Sequence, residues 1–550
     1  MPSDRQSADG GEHAAELLEL RVLDGPNRFS TRPAIKLEFG AETPGPAAEV
    51  AATAGLAIRR LHVALDFPAP RITLRTSADR RRVALAFPWR RRAIAQSIAA
   101  AAARLALGQS VERRELRSLR TVTPGPRPEL PRHRVPIVAV TGTNGKSTTT
   151  RLIAHIAEHA GRRTGMTNSD GIYLRGELVE AGDWTGFGGA GRVLAEPNLD
   201  LAVLETARGG ILLRGIGYPA NDVSVVTNVS ADHLGLQGID TLDELADVKA
   251  AVVRITRRTG WAVLNAADPL VWAMRRQTRA RWYPFSMDPD APQVEAALDR
   301  EGRAAILQRG WLVLLAPGRA PLRLARAVDL PVTFAGLSAY NVANALAAAA
   351  AADALGIPHE AIAAGLRSFS QDSVANPGRL NLFERDGVLA LVDFAHNEAG
   401  LSGLVDVSRS LATAPGRRVR GRRPGRVRLA VGTGGDRTDE ILHNLGVLAA
   451  AADEVVIAEK RHYLRGRDLE VMNAILRGGI AEGGYTGVVE AIATELEALR
   501  ALLGRARRGD VVAVMSHSER ADLFAWLDEE GYRPVAFDRL RAMLDPARPI

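Results

Sequence analysis

The chain has no cysteine, which excludes a disulfide framework and any thiolate metal site. Lysine is scarce as well: of 71 Lys and Arg residues only four are lysines, Lys36, Lys146, Lys249 and Lys460. With the abundant Ala and Gly, this skew reads as coding bias in a GC-rich genome. It also singles out each lysine, because arginine serves as a surface cation but does not lose its proton to act as a nucleophile or become carbamylated. Long apolar runs are missing. The Ala-rich stretches at 93–107 and 345–355 are too short and interrupted to span a bilayer. The polar start MPSDRQSADGGEHAAE carries no apolar core of a secretory signal. A cytoplasmic protein with no membrane partner is expected. The net charge of +8 hints at nucleic acid, but the densest basic run, PGRRVRGRRPGRVR at 415–428, holds Pro and Gly and no aromatic residue. It reads as a solvated loop, and no nucleic-acid partner is expected.

What is present describes an ordinary globular protein. At 550 residues, 46% hydrophobic and 24% charged, the chain has room for about three or four domains, each with its own core. Residues 1–16 read as a disordered tail. In 17–110, ELLELRVL and AIKLEF are strand-like, RITLRTS and RRVALAF form a hairpin across SADR, and RRRAIAQSIAAAAARLALG is a helix ending at Gly108. Residues 111–134, with TPGPRPELPRHR, read as a linker. From 135 to 373 the short apolar strands DLAVLE, DVSVVTNV and WAVLN alternate with helical segments such as NVANALAAAAAADALG, as a doubly wound parallel sheet requires. VANPGR is a hinge, and in 374–550 VLALVDF, RVRLAVG, EVVIA and DVVAVMS build a second, smaller α/β unit. The fold class expected is α/β in three domains: a small α+β N-terminal domain, a central P-loop doubly wound parallel sheet, and a C-terminal Rossmann-like domain.

The stretch VAVTGTNGKSTTTRLIAHIAEHAG, 138–161, carries the strongest chemical signal. An apolar strand breaks into a Gly/Asn turn and then into an amphipathic helix. In that arrangement backbone N–H groups and a helix N-terminus face a phosphate, while Lys146 and the Ser147 hydroxyl reach phosphate and Mg²⁺. The loop Thr141, Gly142, Thr143, Asn144, Gly145, Lys146, Ser147, Thr148 is a shortened form of the general phosphate-loop pattern. Polar residues collect at the ends of the next strands, where ligands bind in open α/β sheets. Glu205 ends DLAVLE and is placed to hold Mg²⁺, or simply to act as a cap. Asn228, Asp232 and His233 end the following strand, with Lys249 sixteen residues beyond His233.

The motifs TGTNGKST, ETARGG, TNVSADHLG, VLNAADP, NVANALAA, PGR, DFAHN and GGDR stand in the order found in the Mur ligase superfamily, which the chain therefore resembles. Its likeness is greatest to the Mur-ligase half of cyanophycin synthetases, through DGIYLRGELVEAGDWTG, ETARGGIL and ADHLGLQGIDTLDELADVKA. LDGPNRFSTRPAIKL resembles the start of their N-terminal domain. The resemblance implies an ATP-dependent carboxylate–amine ligase that closes three domains over ATP, a small-molecule or peptide carboxylate acceptor and an amine donor. It implies an acyl-phosphate intermediate and two Mg²⁺ ions. Lys146 would hold the β- and γ-phosphates, Ser147 and Glu205 one ion, and His233 a second. Lys249 matches a position that is carbamylated in many relatives, where it becomes an anionic metal ligand. Asn344 and Asn341 resemble adenine contacts, with helix capping as the plain alternative for Asn341. Asn265 and Asp268 lie on the nucleotide side by analogy, or form a turn. Arg379, Asp393 and His396 resemble residues that bring the C-terminal domain onto the nucleotide. Asp170, Thr185, Arg208 and Arg437 resemble substrate contacts. Two alternatives stand beside this reading: an amidating subunit fed by a separate glutaminase, and a non-catalytic ATP-binding scaffold. A homo-oligomer is left open.

The chain also departs from the subgroup. The ATP-grasp domain that adds aspartate is replaced by the linker 111–134. The Ser-Ala after GDxTG becomes Phe187-Gly188-Gly189-Ala190. An acidic stretch becomes Glu459-Lys460-Arg461-His462-Tyr463-Leu464-Arg465-Gly466-Arg467, an exchange expected to disfavour a cationic amine donor.

Overall fold

The computed structural model describes residues 15–131, 134–232, 234–418 and 423–545. They form three sheets. The first is antiparallel, with strands in the order Glu16–Leu23, Ala34–Gly40, Arg82–Pro88, Thr73–Thr76. Alternation sets its two faces. Ile35, Leu37 and Phe39 bury against the helices Pro46–Ala64 and Arg92–Ala106, and Lys36 and Glu38 pair on the other face at 2.5 Å. That charged face meets the central unit, where Arg28 and Arg75 reach Asp247 and Arg82 reaches Asp240. The first strand begins inside the expected tail, whose residues 1–14 lie outside the described ones. The linker is not free either. It holds the short helix Arg113–Ser118, and its Pro126 and Pro124 carbonyls accept from Arg92 N (3.1 Å) and Ile94 N (3.4 Å). A helix start has orphan N–H donors, and here the linker supplies acceptors for them.

The central sheet has eleven strands. Around the phosphate-loop strand Ile137–Thr141 lie Asn221–Val226 on one side and Leu201–Glu205 on the other, all parallel. The expected parallel core is present, but each edge carries added antiparallel strands. Gly171–Leu174 and Glu177–Ala181 form one hairpin, and Ala304–Gln308, Trp311–Leu315 and Leu322–Arg326 a meander. Two of their turns, Arg175-Gly176 and Arg309-Gly310, place both residues at positive φ (54° and 82°, 50° and 78°), as tight hairpins require. Arginine at the first position hid them from the sequence reading. The helix Ala339–Ala354 is buried through Ala345–Ala352, and its small side chains let it lie close against the helix Lys146–His159 and the sheet.

The third sheet has seven strands, with Glu454–Ala458, Val427–Val431, Val511–Met515 and Val388–Asp393 parallel at its centre. The basic run 415–428 only partly matches its reading as a solvated loop. Residues 419–422 lie outside the described ones, Arg417 donates to the carbonyls of Gly387, Gly509 and Asp510, and Arg428 is buried against Glu454 and Asp510. Among the described residues no helix is long and apolar enough to cross a membrane.

Candidate active site

The phosphate loop is built by two glycines in conformations that other residues rarely adopt. Gly142 has φ +151° and Gly145 φ +83°. A Cβ on Gly142 would lie 1.9 Å from Thr227 Oγ1, and one on Gly145 2.2 Å from Asn344 Oδ1. The neighbouring strand end holds the loop's shape: Thr143 N donates to Asn228 O (2.9 Å), Asn144 N to Asn228 Oδ1 (2.8 Å), and Thr227 Oγ1 to Asn144 O (2.6 Å). Gly145 caps the helix Lys146–His159 without a side-chain capping hydrogen bond, so no side chain takes up the first turn's N–H groups, which an anion can accept from. Lys146 Nζ folds back onto Thr143 O at 2.8 Å.

Beside the loop, Ser147 Oγ donates to the buried Glu205 Oε2 at 2.8 Å and lies 3.2 Å from Ser169 Oγ. Burial pushes the Glu205 carboxyl above its usual range, while Lys146, the Ser147 hydrogen bond and Arg379 oppose the shift. Lys249 sits on the helix Leu242–Arg254, which a Thr241/Glu244 capping box starts. It is buried, and its Nζ donates to Gly142 O at 2.7 Å. Burial, with Lys146 and Arg208 adding to it against Asp232 and Glu205, pushes the Lys249 amine down to about 7. Lys146, Ser147, Glu205 and Lys249 therefore share one small region. His233 lies outside the described residues.

The C-terminal sheet turns its strand ends to this region. Asp393 accepts from Leu380 N (2.8 Å) and Ala395 N (2.7 Å), and burial raises its carboxyl to about 6 against the pull of Arg379. Arg379 stacks over Phe394 at 4.4 Å and faces Asp170, Asp393 and Glu205. His396 Nε2 is 3.6 Å from Asp232 Oδ2, and Arg437 Nη2 is 3.2 Å from Asp232 Oδ1. The amides of Asn144 and Asn397 bond reciprocally at 3.1 and 2.9 Å. Sequence reasoning passed over Asn397, although it stands beside His396 in DFAHN.

The remaining expected residues have these surroundings. Asp170 is clamped by Arg151 (2.9 Å) and Arg520 (2.8 Å), so it joins the two larger units. Neither arginine had a sequence signal among so many. Thr185 donates its backbone N–H and its hydroxyl to Asp183 Oδ1 (3.0 and 2.6 Å) and, with Glu205 and Tyr218, lines a small pocket. Arg208 reaches the Leu236 carbonyl. Asn265 donates to Thr227 O at 2.7 Å, and Asp268 caps the helix Pro269–Ala273. Asn344 packs on Gly145 and donates to Asn341 Oδ1 at 3.0 Å. Ser338, not Asn341, caps that helix. Thr148 lies in the first turn of the phosphate-loop helix, 3.4 Å from Asn376 Nδ2. Lys460 corrects the donor argument. It is buried with Glu495 at 2.6 Å and also donates to Met515 O (2.7 Å), so its charge faces the interior, and Arg461 and Arg467 are paired with Glu459 and Asp439.

Among the described residues no three His, Cys, Asp or Glu side chains cluster into a ready cage. The donors present are two hydroxyls and one carboxylate at the head of a phosphate loop. Such hard oxygen donors fit Mg²⁺, which keeps several waters and takes phosphate oxygens. Buried polar atoms with no partner among the described residues, Arg208 Nε and Ser230 Oγ, lie at the same end of the sheet.

An open α/β core with a glycine loop, a lysine and a serine–carboxylate pair at its strand ends defines a phosphate-loop protein. Residues 140–352 match the Mur ligase middle domain and residues 378–517 the Mur ligase, glutamate ligase domain. Together the two matches span more than half of the chain, which belongs to the Mur ligase family. It is 41% identical over 391 residues to the cyanophycin synthetase of Crocosphaera subtropica, covering 71% of this chain and 43% of that one. It is 29% identical over 397 residues to the UDP-N-acetylmuramoyl-L-alanyl-D-glutamate–2,6-diaminopimelate ligase of Gloeobacter violaceus, covering 70% and 73%. The solved E. coli FolC in complex with DHPP and ADP shares the fold, with TM-score 0.52 and 19% identity over 72% of this chain and 89% of that one. The chain thus spans less than half the length of the cyanophycin synthetases it matches.

Proposed function

We propose that this chain joins a carboxylic acid to an amine through an acyl phosphate, with ATP as phosphoryl donor. The observation that carries the reading is the meeting of Lys146, the Ser147–Glu205 pair and Lys249 at one end of the central sheet, opposite the 393–397 and 437 loops. The acceptor carboxylate oxygen attacks the γ-phosphorus, the bond to the β-phosphate oxygen breaks, and ADP leaves. A neutral amine then attacks the acyl carbon, the C–O bond to phosphate breaks, and the amine proton is lost as the amide forms.

Charge gathers on the transferred phosphoryl group, so positioned cations supply most of the acceleration. The loop N–H groups and Lys146 hold the β- and γ-phosphates, and Arg379 approaches from the C-terminal unit. Asn265 and Asn344 flank the nucleotide, while Thr185 and Arg208 face the acceptor. Ser147 and Glu205 would hold one Mg²⁺, and His233 with a carbamylated Lys249 a second; when bound, the ions offset phosphate charge. The lowered basicity of Lys249 supports the modification: its neutral amine adds to CO₂, forming an N–C bond and losing a proton.

The test is phosphate release from purified protein across carboxylate–amine pairs, with mass spectrometry of the product. Amide product formed only with ATP and both substrates is expected. ATP hydrolysis without amide in every pair overturns the reading.

A further inference from the structure

Asp232 stands where the two larger units meet. It lies beyond the end of the central strand Asn221–Val226, its side chain is only 13% exposed, and basic groups approach it from both units. From the C-terminal unit come Arg437 Nη2 at 3.2 Å and His396 Nε2 at 3.6 Å. From the central unit, Lys249 and Arg208 both feel its charge. The rest of the Arg437 fork is held within its own unit, Nη1 by Asp436 (3.0 Å) and Nε by the His396 carbonyl (3.3 Å). One guanidinium thus ties the GGDR loop to the DFAHN loop, and its remaining nitrogen reaches across the cleft. Other contacts join these units elsewhere, among them the ion pair Asp329–Arg541. Asn144–Asn397 is a neutral amide pair, and Asp170–Arg520 involves neither of these two loops.

We propose that Asp232 is a positioning residue: the carboxylate latch that aims Arg437 and His396 at the phosphoryl end of the cleft. It acts through those side chains, so its loss should change what the closed site does rather than how ATP docks on its loop. At 3.2 Å the Arg437–Asp232 contact is an ion pair rather than an aligned hydrogen bond, so it acts through charge, and asparagine keeps the shape while removing that charge.

The kinetic arm of the test rests on the ligase reading, and the exchange arm does not. In Asp232→Asn, amide-forming kcat should fall at least tenfold with the KM for ATP within about twofold, and the melting curve should stay near wild type. Hydrogen exchange of the free protein should speed up at least tenfold in 432–437 and stay unchanged in 144–150. The double variant with Arg437→Gln should lose less than the product of the two single losses, because the two changes remove a shared Asp232–Arg437 interaction. Wild-type kcat, unchanged exchange in 432–437, or losses that multiply in the double variant would each overturn the proposal. If Asp232→Asn does not fold, Arg437→Gln carries the same exchange measurement.

Discussion

Lys249 shows how much a single residue's surroundings decide. On an exposed helix it would be a solvated cation; here it is buried beside Lys146, and its amine is held near neutrality. Lys249→Ala should cut turnover severely, with partial recovery in added small carboxylates that stand in for the carbamate. Wild-type rates without any additive would reject that role. The same residue predicts a pH signature in stability. The folded chain releases this proton near pH 7 and the unfolded chain near 10.5, so between those values the unfolded state binds more protons. Stability relative to Lys249→Met should therefore rise with pH across that window and stay flat below it, as denaturant melts at several pH values would read. Lys146→Ala should lower turnover by about 10²–10³-fold or more, the loss typical of removing a fixed charge from a developing anion.

The phosphate loop works as an element because its backbone is tightly constrained. Gly145→Ala places a methyl group 2.2 Å from Asn344 Oδ1 on a residue with φ +83°. ATP affinity should fall at least tenfold by calorimetry while the circular dichroism spectrum stays unchanged. In the C-terminal unit the Lys460–Glu495 pair does related work. Glu495 accepts from the backbone N–H groups of His517, Ser518 and Glu519, and the His517 ring contacts the Ala395 carbonyl at 2.6 Å. The pair thereby supports the 393–397 loop. Both side chains are 1% exposed, so Lys460→Met strands a buried carboxylate and should destabilise the unit by about 3 kcal/mol. A denaturant midpoint equal to wild type would count against this.

At the scale of the whole molecule, the N-terminal sheet is docked by main chain as well as by charge. Asp24 N and Gly25 N donate to Arg214 O (2.7 and 3.2 Å), and Ile216 N donates to Pro26 O (2.7 Å). A Cβ on Gly25 would lie 1.9 Å from Ile216 O. Gly25→Ala should loosen this docking, with faster proteolysis between 111 and 134 and ATP binding unchanged.

The phosphate loop, Glu205 and the alternation of strands and helices were legible in sequence because each is a local pattern: an apolar run, a glycine turn, a polar residue at a strand end; Lys249 stood out only by the scarcity of lysine and the family resemblance. The antiparallel edges were not, since their turns rest on arginines at positive φ. Nor could any local pattern show that Asp170, Asn144 and Asp232 reach partners as much as 350 positions away in the chain. The order of residues along the chain determined which chemical groups exist and on which elements they stand. Only the packing of three sheets decided which of them meet. Burial shifts the proton affinity of Lys249 down and of Asp393 up, the C-terminal core turns Lys460 inward, and the closure of that unit on the central one brings Arg437 to Asp232.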